Sequence, residues 1–376
     1  LAQTPDTLAT MVEQADAAAA TWSAHYRDET TGLPVSIKDW PNISVVQTYR
    51  STPAIAHQGP KKGLYDITTS SPDNAHQPDI AYIPYLVTGD YYYHEELQFW
   101  ASWCVASRPA DYRDFDKGWL FSQNVRAIGW SLRNVSNAAR ILPEDDKLKP
   151  LFVDVVAYNF SKALGIYNEK NVASGEVCPL GALMHSESST APWQNEFLLT
   201  TFALNAQNGD EDAQKLAEWV SRFVTGRVGP EGLPLPIASC YYVYMREDIN
   251  GRVGNWYTNW QQVQARVFPD SVGVPVENLV TTGYPGSPVS FNAYLLGTCA
   301  AVYNIGVESG KVGYDRYSPT SPAPRFTTST QHGQSFQNSL TESRHEKLPR
   351  ANGPTAYSDC TLEQRQQTCK RFCARR

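Results

Sequence analysis

From Asp79 to Thr225 the chain keeps returning to one pattern: apolar residues at helical spacing, a polar or glycine break, then helical spacing again. Ile80, Ile83, Leu86 and Val87 lead to Gly89-Asp90, after which Tyr91, Leu97, Phe99, Trp100 and Trp103 resume the period. The spacing predicts helices over Pro78–Thr88, Asp90–Ala106, Gln123–Leu142, Asp146–Tyr167, Trp193–Gln207 and Asp210–Thr225, with Thr7–His25 before them and Ser290–Val307 after. No strand alternates with these helices, which excludes the doubly wound and TIM-barrel folds. Antiparallel helical hairpins with long loops on one side predict a mainly α chain, an α/α toroid rather than a plain bundle. A closed ring of six hairpins needs about twelve helices and about eight are legible. The ring is therefore incomplete, has further helices in its loops, or belongs to a longer parent.

Two regions break the helical texture. Residues 27–78 are rich in Pro, Gly, Thr and Ser, with strand-like pieces at Ile43–Tyr49 and Leu64–Thr68. After the turn-rich Gly229–Pro234, Ile237–Met245 reads as a strand, Asn250-Gly251 as a type I′ turn, and Val253–Trp260 as the return strand. From Arg316 the chain is Ser/Thr/Pro/Gln-rich and too poor in apolar residues to order itself, apart from a short helix at Thr361–Cys373. Two regions follow: a helical domain over 1–315 and a basic, low-complexity tail over 316–376. The tail holds ten Lys+Arg against four acids, so the overall charge of −6 conceals a tail of +6 and a body of −12. An acidic body gives no reason to expect nucleic acid as partner, and no apolar run reaches the ~18–20 residues of a membrane span.

The seven cysteines divide the same way. Cys104, Cys178, Cys240 and Cys299 stand singly in apolar or turn contexts and read as buried small hydrophobes. Cys360, Cys369 and Cys373 are spaced C-x8-C-x3-C, open to a local disulfide, while a zinc site lacks its fourth ligand. No metal or cofactor is expected. The nucleophile elbow, the phosphate loop, the HExxH pair and the dinucleotide fingerprint are all missing.

Four constellations carry polar or aromatic chemistry. Asn74, His76 and Gln77 precede Pro78 at a predicted helix mouth, where free N–H groups and the helix dipole favour an anion, and Tyr82 follows within two turns. Arg126, Trp130, Arg133, Asn134 and Asn137 share one helix stripe, opposite an apolar stripe of Val125, Ile128, Leu132 and Val135. A solvated face favours Lys and Glu, whereas arginine suits forked binding of a carboxylate. Trp193, Gln194 and Glu196 open another helix as a stacking ring with polar neighbours, below a loop carrying His185. Tyr241, Tyr242, Tyr244, Trp256, Tyr257 and Trp260 mark the hairpin. Each set has a plainer use: capped helix starts, cross-helix ion pairs or cross-strand packing.

The stretch from His76-Gln77-Pro78-Asp79 through Tyr82 and Glu95-Glu96 to Trp100, followed by Arg126 to Arg133, resembles bacterial α/α-toroid carbohydrate-active proteins, the polysaccharide lyases and six-hairpin glycosidases. The likeness covers residues 70–145. It implies a polysaccharide or oligosaccharide partner and a secreted or periplasmic location. In toroidal lyases an Asn or Arg neutralises a uronate carboxylate and a His or Tyr removes the adjacent proton. On that likeness Arg126 and Asn134 hold the carboxylate, and His76 and Tyr82 act as base and acid. Asn74, Gln77, Trp130, Arg133, Trp193, Gln194, Glu196 and Trp260 line the substrate. The expected function is β-elimination of an acidic glycan. The alternatives are an inverting glycoside hydrolase using two carboxyls among Asp79, Glu95, Glu96 and Glu196, and a non-catalytic glycan-binding or surface protein.

Overall fold

The long helices begin where a short polar side chain closes the first turn: Asp90 accepts from the Tyr92 amide at 2.9 Å, Asn124 from Ala127 at 2.9 Å and Asp210 from Ala213 at 2.8 Å. The computed structural model describes residues 5–17, 24–45, 55–57, 74–121, 123–279 and 291–318. In chain order these form helices α1 (Pro5–Asp16), α2 (Tyr82–Thr88), α3 (Tyr91–Ala106), α4 (Val125–Ile141), α5 (Lys149–Ile166), α6 (Glu169–Ala173), α7 (Pro192–Gln207), α8 (Glu211–Arg227), α9 (Leu235–Ala238), α10 (Trp260–Val267), α11 (Phe291–Asn304) and α12 (Glu308–Tyr317). The strands are β1 (Tyr26–Asp28), β2 (Ile55–His57), β3 (Ser189–Thr190), β4 (Val243–Tyr244), β5 (Arg246–Ile249) and β6 (Arg252–Trp256), paired antiparallel as β1–β2, β3–β4 and β5–β6. The chain is mainly helical, as its periodicity predicts.

Contacts give the helices their directions. α4 and α7 run the same way. The Arg126 amide donates to Gln194 Oε1 at 3.3 Å, and further along both helices Thr201 Oγ1 donates to the Gly129 carbonyl at 3.2 Å. Gly129 permits that approach, since a Cβ there would lie 3.1 Å from the Leu198 nitrogen. α11 continues in the same sense beside α7, with Phe197 against Tyr294 at 4.4 Å and the Thr200 and Thr298 hydroxyls 2.9 Å apart. The partners return antiparallel. Asn159 of α5 clasps the segment before α4 through Leu120 and Gly118 at 2.8 Å each. α12 lies along α8 through Thr225–Ser309 at 2.9 Å. Three hairpins, α4–α5, α7–α8 and α11–α12, therefore stand side by side with α4, α7 and α11 parallel. The core fills the space between them: Leu132, Phe152, Phe160, Leu199, Phe202, Phe223 and Val224 are all fully buried.

Several boundaries differ from the expectation. The helix expected from Pro78 starts at Tyr82, because the residues before it are tied to α4: Asn134 Nδ2 donates to the Gln77 carbonyl at 2.9 Å and Asn137 Nδ2 to Asp79 Oδ2 at 2.8 Å. Gly89, at φ 64°, then makes the left-handed turn into α3. The first helix ends at Asp16, residues 18–23 lie outside the described residues, and His25 is not helical. Ile43–Val45 is buried but not a strand, and the rest of the two strand-like pieces lies outside the described residues. The strand expected over Ile237–Met245 is a short helix followed by β4, which pairs with β3 and not with the hairpin. The hairpin turn does fall at Asn250-Gly251, with φ of 55° and 79°, but joins β5 to β6. Trp260 opens α10, capped by Asn259, instead of ending a strand. α12 carries the helical region to Tyr317, and the tail beyond 318 lies outside the described residues, with Cys360, Cys369 and Cys373. The other four cysteines are free and buried, their thiols pushed up to about 11 or 12 by burial, so none is a ready thiolate at neutral pH. Among the described residues no helix is long and apolar enough to cross a membrane, and no group of His, Cys, Asp or Glu could hold a metal ion.

Candidate functional site

Because α4, α7 and α11 run in one direction, their N-terminal turns arrive at one end of the layer, each adding the positive end of its dipole. The 3-10 turn Asn74–His76, the loop carrying β3 and the loop carrying β4 frame this end. The polar stripe of α4 faces it. Arg126 sets its guanidinium carbon 5.2 Å from the Trp193 ring, and Arg133 sets its own 5.8 Å from Trp130. Trp130 lies 5.3 Å from Phe197, which in turn meets Tyr294 edge to face. The opposite stripe, Val125, Ile128, Leu132 and Val135, is buried, which fixes which way the arginines point. The Nε atoms of Arg126 and Arg133 are enclosed and have no hydrogen-bond partner among the described residues. These Nε atoms lie out of reach of solvent, so an anion at the wall would meet the terminal Nη groups of the two half-buried side chains.

The other candidates are placed as follows. Asn74 donates to Gln123 Oε1 at 2.7 Å and accepts from Ser107 at 3.0 Å, so it braces the mouth. His76 is exposed at the end of its turn. Gln77 offers its carbonyl to Asn134, and Gln194 accepts from the Arg126 amide. Asn134 is buried, and its amide donors go to the Gln77 and Trp130 carbonyls, each at 2.9 Å. It has no N–H left for a carboxylate, so the expected neutralising role fails. Tyr82 pairs with Arg140, whose guanidinium stacks 5.5 Å over its ring. Fourteen residues of α4 separate Arg140 from Arg126, roughly 20 Å at the helical rise. Tyr82 is therefore not assembled with Arg126 as its acid. Trp193 is buried beneath Arg126 and Tyr241, so its ring is not an open platform. Glu196 is bound to Arg227 at 2.5 Å, both side chains almost fully buried. Trp260 is buried against Phe223, away from the wall. Of the carboxyls considered for hydrolysis, Glu95 pairs with Arg27 at 2.6 Å and Glu96 with His25 at 2.8 Å.

Two groups gain weight. Asp79 is pushed up to about 7 by the enclosure of its carboxyl, against the Asn137 hydrogen bond and the Arg133 charge, which favour ionisation. Tyr294, on the helix expected over Ser290–Val307 and outside the four sequence constellations, lies within the fields of Arg133 and Glu196 and bonds to Thr200. Burial raises its phenol, while Thr200 and Arg133 pull it back. No local signal marks it, because its neighbours come from α4 and α7.

Asp79 supplies a test that needs no substrate. Its folded pKa lies above the 3.8 of a free carboxyl, so between these values the native state binds the extra proton. Stability is then greatest below pH 4 as far as this group is concerned and falls as pH rises toward 7, by no more than about 4 kcal/mol. Denaturant titrations across that window should show the decline, and Asp79→Asn should flatten it. An unchanged slope in the variant would remove the enclosed carboxyl as its cause.

No family model matches the chain, and searches of curated proteins and of solved structures returned no significant match.

Proposed function

We propose that the α4 wall binds an acidic glycan and that the protein cleaves it by β-elimination. The observation that carries this is the pair of half-buried guanidinium groups, Arg126 and Arg133, flanking Trp130 on one helix face, neither in a salt bridge with an acid among the described residues. Arg133 pairs with the uronate carboxylate, which makes the adjacent ring C–H more acidic. Tyr294, next to Arg133, takes over the proton role expected of His76 and Tyr82. Burial holds the Tyr294 phenol protonated, so it first gives its proton to solvent, a loss that Arg133 and the Thr200 bond favour; the phenolate then removes the C5 proton, the C–H electron pair becomes the C4–C5 double bond, and the glycosidic oxygen leaves with the proton that Tyr294 returns. Trp130 supplies a ring at the wall for a sugar face. The three side-by-side hairpins support half of an α/α toroid, the arrangement in which such walls line the concave side. A secreted or periplasmic location accords with a polymeric substrate.

Hydrolysis is the second reading, favoured by Asp79, whose pKa near 7 suits a general acid. Its weakness is the partner carboxyl, since Glu196 is engaged by Arg227. Incubation with a panel of uronate polysaccharides separates the two. β-Elimination yields unsaturated ends absorbing in the near ultraviolet. Reducing ends without that chromophore mean hydrolysis, and binding without either product means a glycan-binding protein.

A further inference from the structure

The pairing of β3 with β4, Ser189 opposite Tyr244 and Thr190 opposite Val243, brings the 239–245 loop beside the first turn of α7. There the aromatic residues form a continuous row. Tyr241 stacks on Trp193 with ring centroids 5.8 Å apart, Tyr242 follows at 6.4 Å and Tyr244 at 6.2 Å. Arg126 stands at the inner end over Trp193, and Arg266 at the outer end, 5.0 Å from the Tyr244 ring. The row is not buried packing: Tyr241 keeps 48% and Tyr244 41% of its surface exposed. Hydroxyls accompany the rings, with Ser189 donating to the Tyr242 phenol at 2.8 Å and Ser186 2.6 Å from Ser189. His185 sits 6.1 Å from Tyr242.

The charges beside this row differ from those on the α4 wall. Arg266 is bridged to Asp248 at 3.4 Å, and Glu187 is exposed in the loop next to His185. Between Arg126 and Arg266 the row offers aromatic faces and hydroxyls and, among the described residues, no arginine or lysine. Aromatic faces suit the C–H faces of sugar rings, and hydroxyls suit their hydroxyls. A carboxylate placed over Tyr241 or Tyr242, in the middle of the row, would lie away from both guanidinium groups and near an acid.

Resting on the proposed acidic-glycan wall, we infer that Tyr241, Tyr242 and Tyr244 bind uncharged sugar rings adjoining the acidic residue held by Arg126 and Arg133. The ligand is then a heteroglycan that combines acidic and neutral sugars, not a polymer of uronate alone.

The test compares the Kd of the full chain for hexasaccharides of hyaluronan, which alternates acidic and uncharged rings, and of polygalacturonate, in which every ring is acidic. Hyaluronan should bind about tenfold tighter. Tyr241→Ala and Tyr244→Ala, both at half-exposed positions, should each weaken hyaluronan binding several-fold and leave polygalacturonate within about twofold. Equal affinities, a preference for polygalacturonate, or equal losses with both ligands overturn the heteroglycan assignment while leaving the wall intact. If neither ligand binds, or if Arg133→Ala leaves binding unchanged, the acidic-glycan wall falls and this inference with it.

Discussion

Arg227→Met is expected to destabilise the fold by roughly 3–5 kcal/mol, the largest loss anticipated for any single change in the helical layers. Arg227 is fully buried, and its Nη2 donates to Glu196 Oε1 at 2.5 Å. Removing the guanidinium leaves the Glu196 carboxyl enclosed without its cation. Burial already raises that carboxyl, and Arg227 is what opposes the rise, so in the variant Glu196 would take up a proton. Removing both partners is a different matter, because two apolar side chains can fill the space without an orphaned charge. Arg227→Met combined with Glu196→Leu should recover most of the loss in urea or thermal unfolding. A double variant no more stable than the single one would show that packing of the Arg227 stem, and not the charge pair, carries the effect.

Arg133→Ala is expected to lower kcat/KM on a cleaved glycan by about two to three orders of magnitude with little change in stability. The residue is half-buried and, among the described residues, makes no salt bridge whose loss would strand an acid; its charge acts on Asp79 and Tyr294. Arg133→Lys keeps the charge but loses the planar fork, so it should recover part of the activity and not all. Rates measured at saturating and at limiting substrate divide the effect. A loss in kcat marks a contact made in the transition state, whereas a loss confined to KM marks uniform binding. Undiminished kcat/KM in Arg133→Ala would take carboxylate neutralisation away from this residue.

The α4 stripe was legible because it depends only on helical period: Arg126, Trp130, Arg133 and Asn137 do share a face, and the opposite apolar stripe is buried. The Asn250-Gly251 turn was legible for a similar reason, since positive φ at both positions is a local demand. What was not legible came from other elements. Pro78 reads as a first helical residue, yet Asn134 and Asn137 tie its neighbours Gln77 and Asp79 to α4 outside any helix. Glu196 reads as an acid at a helix N-terminus, while its partner lies at the far end of the next helix. Trp193 reads as an open ring until Tyr241 and Arg126 are placed over it. Tyr294 had no local mark at all.

The parallel course of α4, α7 and α11 has an evolutionary consequence. The connections from these helices into their antiparallel partners are short, spanning 142–148, 208–210 and 305–307. Those that bring the chain back, 167–191 and 228–290, are long, and their strands β3 and β4 pair beside Trp193 and Arg126. One end of the layer is thus constrained by tight turns, and the other can accept insertions and exchanges without disturbing the hairpins. Selection could reshape what this chain recognises at one end and leave its folding to the other.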